Sequence, residues 1–124
     1  MKKMYFIIIY VLLLSIGAIN SANKSITKLE AYNIVISGID STTLDSPEIF
    51  VSKQILPANT VIEIGDKSIE SPDYGSWMFF INKYPLSNWG HSCNYMFIGS
   101  NNGEVDIIES NFYPTKPSLA DMDK

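Results

Sequence analysis

Ser76-Trp77-Met78-Phe79-Phe80-Ile81-Asn82 is the stretch on which the fold turns. Successive side chains of a strand point to opposite faces. Here the alternate positions are apolar on both faces, not on one. A strand of this kind belongs in the middle of a sheet, with cover on each side.

The flanking sequence supplies neighbours for it. Tyr84 to Gly90 reads as a loop carrying two large aromatics, Tyr84 and Trp89. Tyr95 to Gly99 reads as a strand, and Ser100-Asn101-Asn102-Gly103 as a hairpin turn, because Asn-Gly readily takes positive φ. Glu104 to Glu109 is the return strand, with Val105 and Ile107 on one face and Asp106 and Ile108 on the other. Upstream, Glu48 to Ile55 alternates as a strand, Ile49, Val51 and Lys53 against Phe50, Ser52 and Gln54. Pro57-Ala58-Asn59 breaks it, and Thr60 to Ile64 forms a second short strand. Gly65-Asp66-Lys67 and Ser71-Pro72-Asp73 are turn or loop signals, and Asp40 to Pro47 is a polar turn.

Residues 27–37 are expected to be helical. Thr27 is a suitable N-cap with Glu30 three residues on, as a capping box requires. Ile26, Leu29, Tyr32 or Asn33, and Ile36 fall near a 3.6-residue period, and Gly38 stands where a helix can end through positive φ. The expected fold is therefore α+β: one N-terminal helix packed on a small antiparallel sheet of four or five strands. The aromatics Trp77, Phe79, Phe80, Trp89, Tyr95 and Phe97 are expected in its core, with a binding face as the alternative, for which Trp89 is the best candidate. Pro114 and Pro117 stop regular structure, and the polar residues beyond are expected to be disordered.

The N-terminal region reads differently. Lys2 and Lys3 precede an apolar run from Met4 to Ile19, interrupted by Tyr10 and Ser15, and then small residues. This has the form of a secretory signal peptide over residues 1–22, cleaved after Ser21 or Ala22, with an uncleaved anchor as the alternative. The division expected is a leader over 1–22, one α+β domain over 23–113 and a loose tail over 114–124. Localisation follows as secreted or cell envelope, with no stable membrane insertion once the leader is cleaved. No cysteine follows the apolar run, which excludes a lipidated bacterial N-terminus. Asn23-Lys24-Ser25 matches a glycosylation sequon.

The full chain carries a formal charge of -4, and all of its basic residues are lysines. Without residues 1–22, seven lysines face thirteen acids, giving -6. An acidic chain without arginine has no basic patch for phosphates, which argues against nucleic-acid binding.

One stretch, Asn88-Trp89-Gly90-His91-Ser92-Cys93-Asn94-Tyr95, could carry chemistry. It holds the only histidine and the only cysteine, two positions apart. On an extended segment they would share a face, and an imidazolium beside a thiol is the minimum for thiolate catalysis. Cys93 and His91 are therefore the catalytic candidates. The alternative is structural: Cys93 as a small buried hydrophobe, His91 as a local hydrogen-bonding residue. A lone cysteine in an exported chain can pair only between chains, so a disulfide-linked dimer through Cys93 is a third reading. Trp89, His91 and Cys93 are the candidate binding residues, with Trp89 the best placed for contact. One His and one Cys do not build a zinc site, and Asp40, Asp45, Asp66, Asp73 and Asp106 lack calcium-loop spacing. No cofactor or metal is expected.

Two blocks carry a family resemblance. Thr27-Lys28-Leu29-Glu30-Ala31 resembles the helix start of PepSY-type propeptide domains. Tyr95 to Val105 is similar to their closing hairpin: an aromatic-apolar strand, a polar turn ending in Gly103, and a short apolar strand. The resemblance implies a small exported module that inhibits or chaperones secreted peptidases. The expected function is thus a non-enzymatic exported module with a protein partner, such as a peptidase. The alternatives are a thiol enzyme using Cys93 and His91, and a secreted structural protein linked through Cys93.

Overall fold

The structure, a computed structural model, describes residues 25–39, 47–85 and 90–124. In chain order the described elements are α1 (Lys28–Gly38), β1 (Glu48–Ser52), β2 (Val61–Ile64), β3 (Lys67–Glu70), β4 (Ser76–Asn82), β5 (Cys93–Gly99), β6 (Val105–Ser110), a 3-10 turn (Leu119–Asp121) and β7 (Met122–Asp123). The large sheet has the order β6-β5-β4-β1-β7, and every neighbouring pair is antiparallel. A separate hairpin, β2–β3, is the second sheet. This is an α+β fold.

β4 lies at the centre of the large sheet and is buried along its whole length. Alternation along β4 and β5 creates two apolar layers. On one face Trp77, Phe79 and Ile81 of β4 join Val51 of β1 and Met96 and Ile98 of β5. Ala31 and Val35 of α1, both fully buried, close this layer. On the other face Met78 and Phe80 join Cys93, Tyr95 and Phe97. Ile62 and Ile64 of the β2–β3 hairpin and Met122 of β7 close that layer. The molecule therefore has three layers: helix, sheet, hairpin.

Local chemistry explains where the elements start and stop. The Thr27 hydroxyl accepts the Glu30 N–H at 3.2 Å and donates to the Glu30 carboxylate at 3.1 Å, which caps α1. Gly38 remains helical and takes no positive φ; the helix ends when the Ile39 N–H reaches back to Ile36 O at 3.2 Å. The buried face also differs from the expected stripe. Leu29, Tyr32 and Ile36 are exposed, and the smaller Ala31 and Val35 meet the sheet instead. Small residues let the helix approach Trp77 and Phe79, whose rings already fill the layer.

The hairpin over the second face was only half visible in the sequence. Lys67–Glu70 forms a strand rather than a loop, paired with β2 so that Ile64 faces Lys67. The two-residue turn is Gly65-Asp66, with Gly65 at φ 76°. Glycine at the first turn position suits the right-handed twist of the strands. In the β5–β6 turn only Gly103 takes positive φ, at 68°; Asn102 instead accepts the Glu104 N–H on its side-chain oxygen at 3.0 Å. β1 ends at Ser52, short of the expected Ile55, and β5 begins at Cys93, ahead of Tyr95.

The C-terminal segment contradicts the expectation of disorder. Thr115 donates its N–H to Glu63 O at 2.8 Å, and Glu63 donates to Lys116 O at 3.0 Å, adding the segment to the outer edge of β2. Leu119 then packs on the hairpin-side layer, and β7 pairs with Val51 and Ser52 of β1. Pro114 and Met122 are buried. A few apolar anchors spaced along a polar segment are enough to dock it, because the hairpin-side layer would otherwise stay open at this edge.

Trp77 links layers as well as filling one. Its indole N–H donates to Ile26 O at 2.9 Å, just before α1. Trp77→Ala should destabilise the fold by about 3–5 kcal/mol, and Trp77→Phe by about 1 kcal/mol for the lost bond. Denaturant titration of both variants checks this; an unchanged midpoint for Trp77→Ala would show that β4 is not core.

β7 offers a pH test. Lys28 Nζ donates to the Asp123 carboxylate at 2.8 Å, and this bond holds the Asp123 carboxyl below its ordinary value. A depressed carboxyl contributes its stability in full above the ordinary value and loses it as pH falls through the lower folded value. The Met122 methyl resonance should therefore move toward its unfolded position in acid, and Lys28→Met should raise the midpoint of that movement. A midpoint that ignores Lys28→Met would refute the coupling.

Candidate functional site

β4 ends at Asn82 and β5 begins at Cys93, and the two residues are cross-strand partners. The chain thus leaves the sheet after Asn82 and re-enters it at Cys93 at one corner. Asn82 organises it. Its buried amide oxygen accepts the Tyr84 main-chain N–H at 3.2 Å, and its amide nitrogen donates to the Tyr113 hydroxyl at 2.9 Å. The Tyr84 bond fixes which end of the amide is oxygen, since a main-chain N–H can only donate. His91 Nε2 lies 2.6 Å from that oxygen. An amide oxygen can only accept, so Nε2 carries the proton and points it into Asn82.

Rings surround this network. His91 meets Tyr84 and Tyr113 edge to face, with centroids 6.0 and 5.9 Å away. Tyr113 meets Phe80 edge to face at 5.3 Å, and Phe80 lies 5.1 Å from Tyr95. The aromatic contacts therefore run from the core to the surface, where Tyr84, Phe112 and Tyr113 are exposed. Tyr95 anchors the chain that carries Phe112, donating its hydroxyl to Phe112 O at 2.8 Å. Burial pushes the Tyr95 and Tyr113 phenols up, so both stay protonated, Tyr95 as a donor to Phe112 O and Tyr113 as the acceptor of the Asn82 amide.

The candidate catalytic pair is placed differently from what thiolate chemistry requires. Cys93 is fully buried on the hairpin side of the sheet. Its thiol lies 3.5 Å from the main-chain oxygen of His91, and the imidazole Nε2 is directed at Asn82. Burial pushes the Cys93 thiol up, and the charge of Lys83 offsets this only in part. A thiol with a raised pKa, in contact with a carbonyl oxygen, is a poor nucleophile. The same burial leaves the thiol no exposed surface in this fold. Trp89 lies outside the described residues, so only His91 and Cys93 of the three binding candidates can be placed.

Asn82, Tyr84 and Tyr113 are the residues that sequence reasoning missed. Asn82 and Tyr113 are distant in the chain, and no spacing joins them. The one available signal was Asn82 itself, a polar residue ending an apolar strand. Among the described residues no group of three His, Cys, Asp or Glu side chains is gathered as a metal site. The chain matches no family model, no curated protein and no solved structure.

Iodoacetamide should label Cys93 in the folded protein more slowly than a model thiol at pH 7, and at the model rate once denaturant is added. Labelling of the folded protein as fast as the model thiol would mean that the thiol is open and ionisable.

Proposed function

We propose that this chain is an exported, non-enzymatic module that binds a protein partner through the aromatic corner around His91. The observation that carries the reading is a set of exposed rings, Tyr84, Phe112 and Tyr113, held on a rigid base. Aromatic side chains give large contact area at low entropic cost, and such anchors concentrate binding energy. The base is rigid because Asn82 fixes His91, Tyr84 and Tyr113 together. The chemistry of the corner is recognition: its histidine donates into an amide, and its thiol is buried and protonated. The partner class we favour is a secreted peptidase, by the resemblance of Thr27–Ala31 and Tyr95–Val105 to PepSY-type propeptide domains. In support, the first block caps and opens α1 and the second spans β5, its turn and the start of β6. The signal-like residues 1–22 lie outside the described residues, and export rests on their sequence. Among the described residues no helix is long and apolar enough to cross a membrane.

The test is affinity capture from the host's culture medium by the chain without residues 1–22, beside Tyr84→Ala/Phe112→Ala. These rings are exposed, so the double variant should keep its melting temperature. We expect a partner retained by the parent chain and lost by the variant. Equal capture by both, or no stable partner, overturns the reading.

A further inference from the structure

We propose that the outer edge of β6 is a docking site for an extended peptide segment carrying lysine or arginine at alternate positions, added as a sixth strand. This surface is separate from the aromatic corner and does not rest on it. Among the described residues, β6 ends the sheet and nothing pairs with its outer side. The Gly99 N–H donates to Glu104 O at 2.8 Å. Alternation from that bond turns the main-chain N–H and C=O groups of Val105, Ile107 and Glu109 away from β5. Unpaired groups in such a row are a template for another strand.

The apolar side chains on this edge are open as well. Val105 is 45% and Ile107 57% exposed. Both lie on the α1 face of the sheet, as their cross-strand partners Ile98 and Met96 do. A strand laid against β6 would shield them with its own apolar positions.

Charge selects the occupant. Glu104, Asp106 and Glu109 punctuate the edge, and none is in either of the ion pairs found among the described residues. Beside β6, on the hairpin face, a cavity of about 310 Å³ is rimmed by Glu70, Asp73 and Asp106 over Phe97 and Ile108. Tyr74 donates its hydroxyl to Asp106, which holds that carboxylate at the rim. An apolar floor under an acidic rim fits a lysine or arginine, whose methylene stem buries while its head stays with the carboxylates. A second copy of this chain fits badly. Pairing two β6 edges would bring Asp106 and Glu109 of each copy into one strip with no lysine on β6 to offset them, and the like charges repel.

The probe is a synthetic peptide of alternating lysine and valine, titrated into 15N-labelled protein at low salt. We expect shifts and slowed amide exchange at Val105, Ile107 and Glu109, with weaker binding as salt rises. Asp106→Asn/Glu109→Gln, each keeping a hydrogen-bond acceptor, should fold normally and bind about tenfold more weakly. N-methylation of alternate peptide nitrogens should abolish binding, and Tyr84→Ala/Phe112→Ala should leave it intact. The proposal is overturned by any of four outcomes: no shift in β6; binding that ignores N-methylation, which is charge attraction only; outward amides of β6 already slow to exchange in the free chain, which means the edge is covered; or a free chain that dimerises through β6.

Discussion

The fold depends on one constraint: β4 has no polar face. Trp77, Phe79 and Ile81 need cover on one side, and Met78 and Phe80 need it on the other. A small antiparallel sheet can leave one face to water when its strands alternate polar and apolar. This one cannot. The chain meets the demand with unlike materials, a short helix above and a two-stranded hairpin below. β5 repeats the pattern, with Met96 and Ile98 against Tyr95 and Phe97. The covers then dictate the rest. The C-terminal segment docks because the hairpin side still has an edge to close, and α1 lies close because the residues it buries fully, Ala31 and Val35, are small.

What could be read from the sequence follows from how local each signal is. β4 was legible to the residue, since seven positions in a row carry the information. The capped start of α1 was legible because Thr27 and Glu30 act within one turn. The inward face of α1 was not, because the periodic bulky residues Leu29, Tyr32 and Ile36 lost to Ala31 and Val35. That choice is made by the rings of Trp77 and Phe79, far away in the chain. β3 was hidden for a similar reason: in Lys67-Ser68-Ile69-Glu70 only Ile69 packs inward, and its pairing with β2 makes it a strand. The docked tail was hidden by its polarity, since its register comes from Glu63 and Val51.

The same distinction holds for the corner around His91. Sequence proximity singled out His91 and Cys93, but the fold assigns them to different surroundings. The thiol belongs to the hairpin-side layer, and the imidazole belongs to Asn82 and the tyrosines. Two residues that are neighbours in the chain are thus separated in role by the turn of the backbone where β5 begins. Asn82 is the residue that converts an aromatic loop into a fixed surface. It satisfies two donors and one hydroxyl at the point where the sheet ends and the main chain would otherwise be free to turn.

The pairing of β7 with β1 has a consequence for the order of events in folding. Lys28 and Asp123 are 95 positions apart, and they meet where the last described strand lies on the first. Contacts of such long separation form late, because the intervening chain must be ordered before they repay its entropy. The central hairpin, β4 to β6, is contiguous apart from its loops and can form early. Its two oily faces must then wait for α1 and the β2–β3 hairpin to fold back over them, and for the C-terminal segment to close the hairpin side. Between those moments the sheet is exposed on both sides, and that interval sets its vulnerability to aggregation. The acids along β6 stand at the one edge that neither cover reaches, where they discourage identical chains from joining during the wait.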